Sequence, residues 1–163
     1  MSTLAKPDEL AHELEQAARG VRSAEELMKL ICETLHSRML KFNWVGFYML
    51  APGDKPGEQV LVLGPFVGSM TPHTRIPLNQ GICGAAASSG QTVVVDDVHS
   101  DPRYLACSIE TKSEIVVPVF ARGKVVGELD IDSHFPAAFG PEDRRLVEHC
   151  ARLVGEFLEK HPA

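Results

Sequence analysis

Glu114-Ile115-Val116-Val117-Pro118-Val119-Phe120, Ala121-Arg122-Gly123 and Lys124-Val125-Val126-Gly127-Glu128-Leu129-Asp130-Ile131-Asp132 decide the fold. Two β-branched runs joined by a short Gly-containing connection predict an antiparallel hairpin. In the second strand Val126, Glu128, Asp130 and Asp132 take one face, and Val125, Gly127, Leu129 and Ile131 the other. The ordinary reading of such an acidic face is a wetted surface. Two features weigh against it. Aspartate is disfavoured inside strands, yet two stand at the end of this one. Glu114 opens the preceding strand, so the hairpin brings it beside Asp130 and Asp132. Three carboxylates there repel unless they share protons or hold a cation.

Upstream, Asn43 to Leu50 and Gln59 to Leu63 read as strands joined by Ala51 to Gly57, with Gly64 to Gly68 as the end of the second. Arg75-Ile76-Pro77-Leu78 is a short edge segment, because Pro77 cannot donate to a ladder. Gly81 to Ser89 is small and apolar and suits a short helix packed on a sheet. Gln91 to Val95 is a further strand. Pro7 to Ala18 reads as a helix with Pro in its first turn. Ser23-Ala24-Glu25-Glu26 has capping-box spacing and starts a second helix, with Leu27, Met28, Ile31, Leu35 and Met39 on one stripe. Gly140-Pro141-Glu142-Asp143 opens the last helix, striped by Leu146, Val147, Cys150, Leu153, Val154, Phe157 and Leu158. The expected fold is α+β: a mainly antiparallel sheet of five or six strands, terminal helices on one face, and a pocket on the other covered by the loops at 64–80 and 96–113.

The 163 residues, 44% hydrophobic, suit one domain with one sizeable core. The net charge of −6, with no Lys/Arg cluster, argues against a nucleic-acid partner. No apolar run approaches a membrane span, and no N-terminal run resembles an export signal. A reducing cytoplasm is therefore expected, with Cys32, Cys83, Cys107 and Cys150 unbridged. No Cys-x-x-Cys pair and no convergent histidine spacing is present, so no metal is read.

Cys32 and Cys150 lie on or beside helix stripes and read as buried fillers. Cys83 sits in Gly81-Ile82-Cys83-Gly84, at a helix start whose N–H groups favour an anion or a thiolate. It also reads as a small residue at a tight helix start. Cys107 lies in a polar loop without period and is the better candidate nucleophile. Trp44 and Tyr48 share the strand face opposite Val45 and Phe47. They serve either sheet packing or the wall of a small apolar pocket.

The segments Asn43-Trp44-Val45-Gly46-Phe47-Tyr48, Leu63-Gly64-Pro65-Phe66, Arg75-Ile76-Pro77, Gly81-Ile82-Cys83-Gly84, Asp97-Val98-His99, Ser113-Glu114-Ile115-Val116-Val117-Pro118 and Leu129-Asp130-Ile131-Asp132-Ser133 resemble free methionine-(R)-sulfoxide reductase. The likeness runs from about Ser23 to the final helix. It implies a single GAF domain over 1–163 that reduces the R-sulfoxide of free methionine. By resemblance Cys107 attacks the sulfoxide sulfur and becomes a sulfenic acid. A second thiol condenses with it, and thioredoxin reduces the disulfide, with no other cofactor. The resemblance makes Glu114, Asp130 and Asp132 the substrate acids. It sets Trp44 and Tyr48 at the methyl-sulfinyl end and the amides near Ile82 and Cys83 at the carboxylate. It also implies a homodimer. Two departures stand out. Thr71-Pro72-His73-Thr74 has no cysteine where many members carry one, which leaves Cys83 as the resolving thiol or an external reductant acting directly on Cys107. Glu128 replaces a small apolar residue, and either perturbs the pocket charge or points to solvent. The competing readings are a non-catalytic GAF sensor of a small molecule and a degenerate relative of the reductases.

Overall fold

The computed structural model describes residues 6–105 and 109–161. The decisive hairpin is present as β5 (Ser113–Ala121) and β6 (Lys124–Ser133). Its two-residue turn has positive φ at both Arg122 (52°) and Gly123 (76°), the geometry that matches strand twist. The Arg122 N–H donates to Glu159 Oε1 at 2.6 Å, which ties the turn to the last helix. On the other side of β6 lies β1 (Trp44–Pro52), with Trp44 opposite Asp132 and Gly46 opposite Asp130. Then come β2 (Gln59–Val67) and the edge strand β3 (Arg75–Pro77). The other edge is β4 (Val93–Val95), paired with β5. The order is β3-β2-β1-β6-β5-β4, and each neighbouring pair is antiparallel. The acidic strand is therefore central, with a hydrogen-bonded strand on each side.

Two irregularities correct the sequence reading. The strand beginning at Gln59 does not end at Leu63 but continues to Val67. It survives Gly64-Pro65 through a bulge: Gly46 faces Phe66 and Tyr48 faces Leu63, so Phe47 alone opposes two residues. A proline, lacking an N–H, is tolerated at such a point. The second bulge is at Val126. Val119 pairs with Gly127 and Phe120 with Val125, which leaves Val126 without a partner. Its side chain packs against the helix-side core and does not share the face of Glu128, Asp130 and Asp132.

The helices α1 (Pro7–Ala18), α2 (Ala24–Arg38) and α4 (Pro141–Lys160) cover one face of the sheet. Ser23 caps α2 by accepting from the Glu26 N–H at 3.1 Å, while Glu26 accepts from the Arg22 N–H at 2.8 Å. Leu10, Leu14, Leu27, Ile31 and Leu35 meet Val45, Phe47, Val117, Leu129 and Ile131 from the sheet and Val147 and Val154 from α4. Each such side chain, fully buried, contributes about 1.5–3 kcal/mol of transfer free energy. Cys32 and Cys150 are buried in this layer, as their stripes predict.

The other face carries α3 (Gly81–Ser89) and the connections on either side of it. Trp44, Tyr48, Leu61, Ile76, Val116 and Val95 pack there against Ile82, Cys83, Ala86 and Ala87. This second layer is thin, and it encloses the acidic face. Among the described residues no helix is long and apolar enough to cross a membrane.

Candidate active site

The acidic strand face is not wet. Glu114, Glu128, Asp130 and Asp132 are 6%, 0%, 3% and 4% exposed. Register sets Glu114 opposite Asp132 and Val116 opposite Asp130, as the hairpin predicts. Helix α3 then lowers Cys83 onto them, and the Cys83 thiol donates to Asp130 Oδ2 at 3.4 Å. Ligand atoms of Cys83, Glu114 and Asp130 all lie within 4.8 Å of one another.

Burial pushes all four carboxyl groups above the usual carboxylate range, because the charged form loses its hydration. For Glu114 the nearby Asp130 and Asp132 add to burial in the same direction. Asp130 adds to burial for both Asp132 and Glu128. Asp130 is held back in part by hydrogen bonds with Glu114 and Cys83. The cluster thus holds its protons to higher pH than exposed carboxyls do. Asp130 Oδ1, Asp132 Oδ1 and both Glu128 oxygens still meet no hydrogen-bond partner. Glu128 lies close enough to Cys83 and Asp130 to perturb both, but the thiol has one proton to give and directs it at Asp130. Buried acceptors left in this state favour a cationic donor such as an ammonium, which brings three N–H groups and a charge.

Cys83 departs from the expectation drawn from its helix start. Burial, then the neighbouring Asp130, Glu128 and Glu114, raise its thiol well above the ordinary value. The partial positive charge of a nine-residue helix does not offset them. At rest Cys83 is a thiol, not a thiolate. Cys107, the proposed nucleophile, lies outside the described residues.

Trp44 and Tyr48 take the same face as the acids, with ring centroids 6.3 Å apart. Trp44 also stacks on Phe66 at 5.6 Å. The indole N–H donates to the Ser69 carbonyl at 2.9 Å, and the Tyr48 hydroxyl to the His73 carbonyl at 2.7 Å. Both rings are fixed by the chain between β2 and β3. The predicted residues line two small chambers. Tyr48, Ile82, Cys83, Glu114 and Asp130, with His73 and Leu105, bound a cavity of about 20 Å³. Trp44 and Asp132, with Ser69, Thr71 and His134, bound one of about 50 Å³. A larger groove of about 480 Å³ lies among α1, α2 and α4, across the sheet from the acids.

His73, Leu105 and the contact between Glu128 and Cys83 were not legible as site features. The first two lie in stretches without period. The third joins residues far apart in the chain, and no local spacing marks it.

The GAF domain family matches residues 23–158. Free methionine-R-sulfoxide reductase of Saccharomyces cerevisiae is 38% identical over 128 residues, spanning 78% of this chain and 69% of the relative. The Escherichia coli protein of the same name is 38% identical over 124 residues, spanning 74% and 71%. The X-ray structure of free methionine-R-sulfoxide reductase from Neisseria meningitidis in complex with its substrate aligns with a TM-score of 0.86 at 34% identity, covering 98% of this chain and 93% of that one. Likeness of this degree, over most of both partners and on the same antiparallel framework, makes the chain a member of the free methionine-R-sulfoxide reductase family, built on a GAF domain.

Proposed function

We propose that this oxidoreductase reduces free L-methionine (R)-S-oxide to L-methionine through a cysteine sulfenic acid and a disulfide recycled by thioredoxin. The observation that carries the reading is the buried carboxyl cluster of Glu114, Asp130 and Asp132, with its unpartnered oxygens facing the sheet side that α3 covers. Sulfoxide reduction needs a proton for the oxygen that is transferred, and a carboxyl whose hold on its proton is raised by burial suits that donation. A free amino acid also brings an ammonium, for which an ionised member of the cluster is the counter-charge. A peptide-linked residue has none, and would leave those acceptors desolvated and unpaired.

In the first step the Cys107 thiolate attacks the sulfoxide sulfur while a carboxyl of the cluster protonates the oxygen; the substrate S–O bond then breaks as the oxygen passes to Cys107, methionine leaves, and Cys107 is a sulfenic acid. In the second, a thiol attacks that sulfur, a disulfide forms and water leaves with the oxygen. Cys83 is the internal candidate, and it acts after Asp130 takes its proton. A dithiol reductant then restores both cysteines. Trp44 and Tyr48 wall the methyl-sulfinyl end.

The test supplies purified protein and a thioredoxin system or a small dithiol with free methionine R-sulfoxide, its S epimer and a peptide sulfoxide. Selective loss of the free R epimer is expected. No turnover with either reductant would reject the reading in favour of a binding module. Cys107→Ser should reduce turnover to background. Cys83→Ser should preserve one stoichiometric reduction but slow recycling by thioredoxin. Unchanged recycling would assign the reductant's attack to Cys107 itself.

A further inference from the structure

We propose that Cys83, Asp130 and Glu114, with Glu128 beside them, form a binding site for a thiophilic divalent cation, with zinc as the fitting ion. Among the described residues, Cys83, Glu114 and Asp130 offer three ligand atoms all within 4.8 Å of one another. The separation between Cys83 Sγ and Asp130 Oδ2 is 3.4 Å. Zinc–sulfur and zinc–oxygen bonds of about 2.3 and 2.0 Å at a tetrahedral angle require about 3.5 Å between those atoms. One edge of a zinc tetrahedron is therefore already in place.

Glu128 supplies the independent observation. Its carboxyl is fully buried and neither oxygen has a hydrogen-bond partner. It lies beside the same thiol and within electrostatic reach of the same aspartate. Asp130 Oδ1 is likewise without a partner. A carboxyl group so placed lacks the partners that normally accompany burial, and a metal ion satisfies several such oxygens at once. The donor set selects the ion. One sulfur among carboxylate oxygens suits zinc, cobalt(II) or cadmium, whereas magnesium and calcium require oxygen ligands throughout. Binding exchanges the thiol proton and one carboxyl proton for the divalent cation, so charge stays balanced inside the sheet. The ligands come from three elements, α3, β5 and β6, which explains why no sequence spacing announces the site.

The consequence for turnover rests on the function proposed above: a metal held here occupies the acids that would receive the ammonium, and methionine and metal then exclude each other. The binding itself does not rest on that function and is read without turnover. Full-length protein, reduced with a phosphine, is titrated with cobalt(II) and followed by its sulfur-to-cobalt charge-transfer absorption. One equivalent is expected to produce the band, zinc to abolish it, and Cys107→Ser to retain it. Cys83→Ser should lose it. Glu128→Gln keeps the thiol and nearly the same shape, and should weaken cobalt by about tenfold or more. No band in the wild-type protein would overturn the proposal. A band that persists in Cys83→Ser would overturn it too, since the thiolate would then be elsewhere. Unchanged affinity in a folded Glu128→Gln would remove Glu128, and the buried unpartnered carboxyl that supports the site, from the proposal.

Discussion

Glu128 keeps its proton to higher pH than an exposed glutamate does. Burial raises its native pKa, with Asp130 adding to the effect, so the folded chain binds that proton more tightly than the unfolded chain does. The stabilisation is complete below the unfolded value, about pH 4.3, and is lost as pH rises through the native one. Glu114, Asp130 and Asp132 act in the same direction. Stability should therefore decline from about pH 4 upward. Glu128→Gln should flatten that decline, because an amide does not titrate. Urea midpoints measured at several pH values check this, and parallel curves for the two proteins would contradict it. The sequence already joined Glu114 to Asp130 and Asp132, because a hairpin register is local arithmetic. It offered Glu128 as either a pocket charge or a solvated residue, and only the α3 lid decides between them. Cys83 was open in the same way, as a helix-start thiolate or a small residue at a tight helix start, and its burial among the acids favours the second: a helix start is visible in the sequence, whereas the acids beneath it come from strands 31 or more positions away.

Helix α4 lies so close to β5 that a Cβ on Gly155 would collide with the Phe120 backbone carbonyl. Backbone cannot swing aside as a side chain does. Gly155→Val should therefore cost at least the usual overpacking penalty of about 1–3 kcal/mol, seen as a lower urea midpoint. Ser23→Ala removes the α2 cap and should cost about 1 kcal/mol, and it lies on the helix side of the sheet, away from the acids. A Gly155→Val protein as stable as the parent would show that α4 can move off β5. The helices were legible because caps and stripes are written within a few neighbouring residues. The bulges at Gly64-Pro65 and Val126 were not. A bulge is a mismatch between the counts of two strands, and neither strand contains it alone.

Across the whole molecule, a robust helical layer backs the sheet and a thin one covers the acids. The chamber beside Cys83 holds about 20 Å³, room for about one water molecule and not for an amino acid. On the proposed function, binding must part the thin layer from the sheet, and the bound state must be the more stable one. Free L-methionine at one hundred times its Kd should add about 2.7 kcal/mol to stability, read as a rise in Tm. N-acetylmethionine, lacking the ammonium, should add almost none. Equal shifts with both compounds would remove the ammonium from the recognition. The overall layering was legible because hydrophobic period assigns each element a buried face. The closeness of the cover was not, because it depends on loop conformations that have no period. The sheet's outer boundaries carry a last consequence. Both edge strands, β3 and β4, are three residues long, and β3 ends in a proline that has no N–H to offer. A stray strand from a neighbouring molecule finds almost no ladder on which to extend. The fold thus resists edge-to-edge aggregation by leaving its long, strongly β-forming segments in the middle.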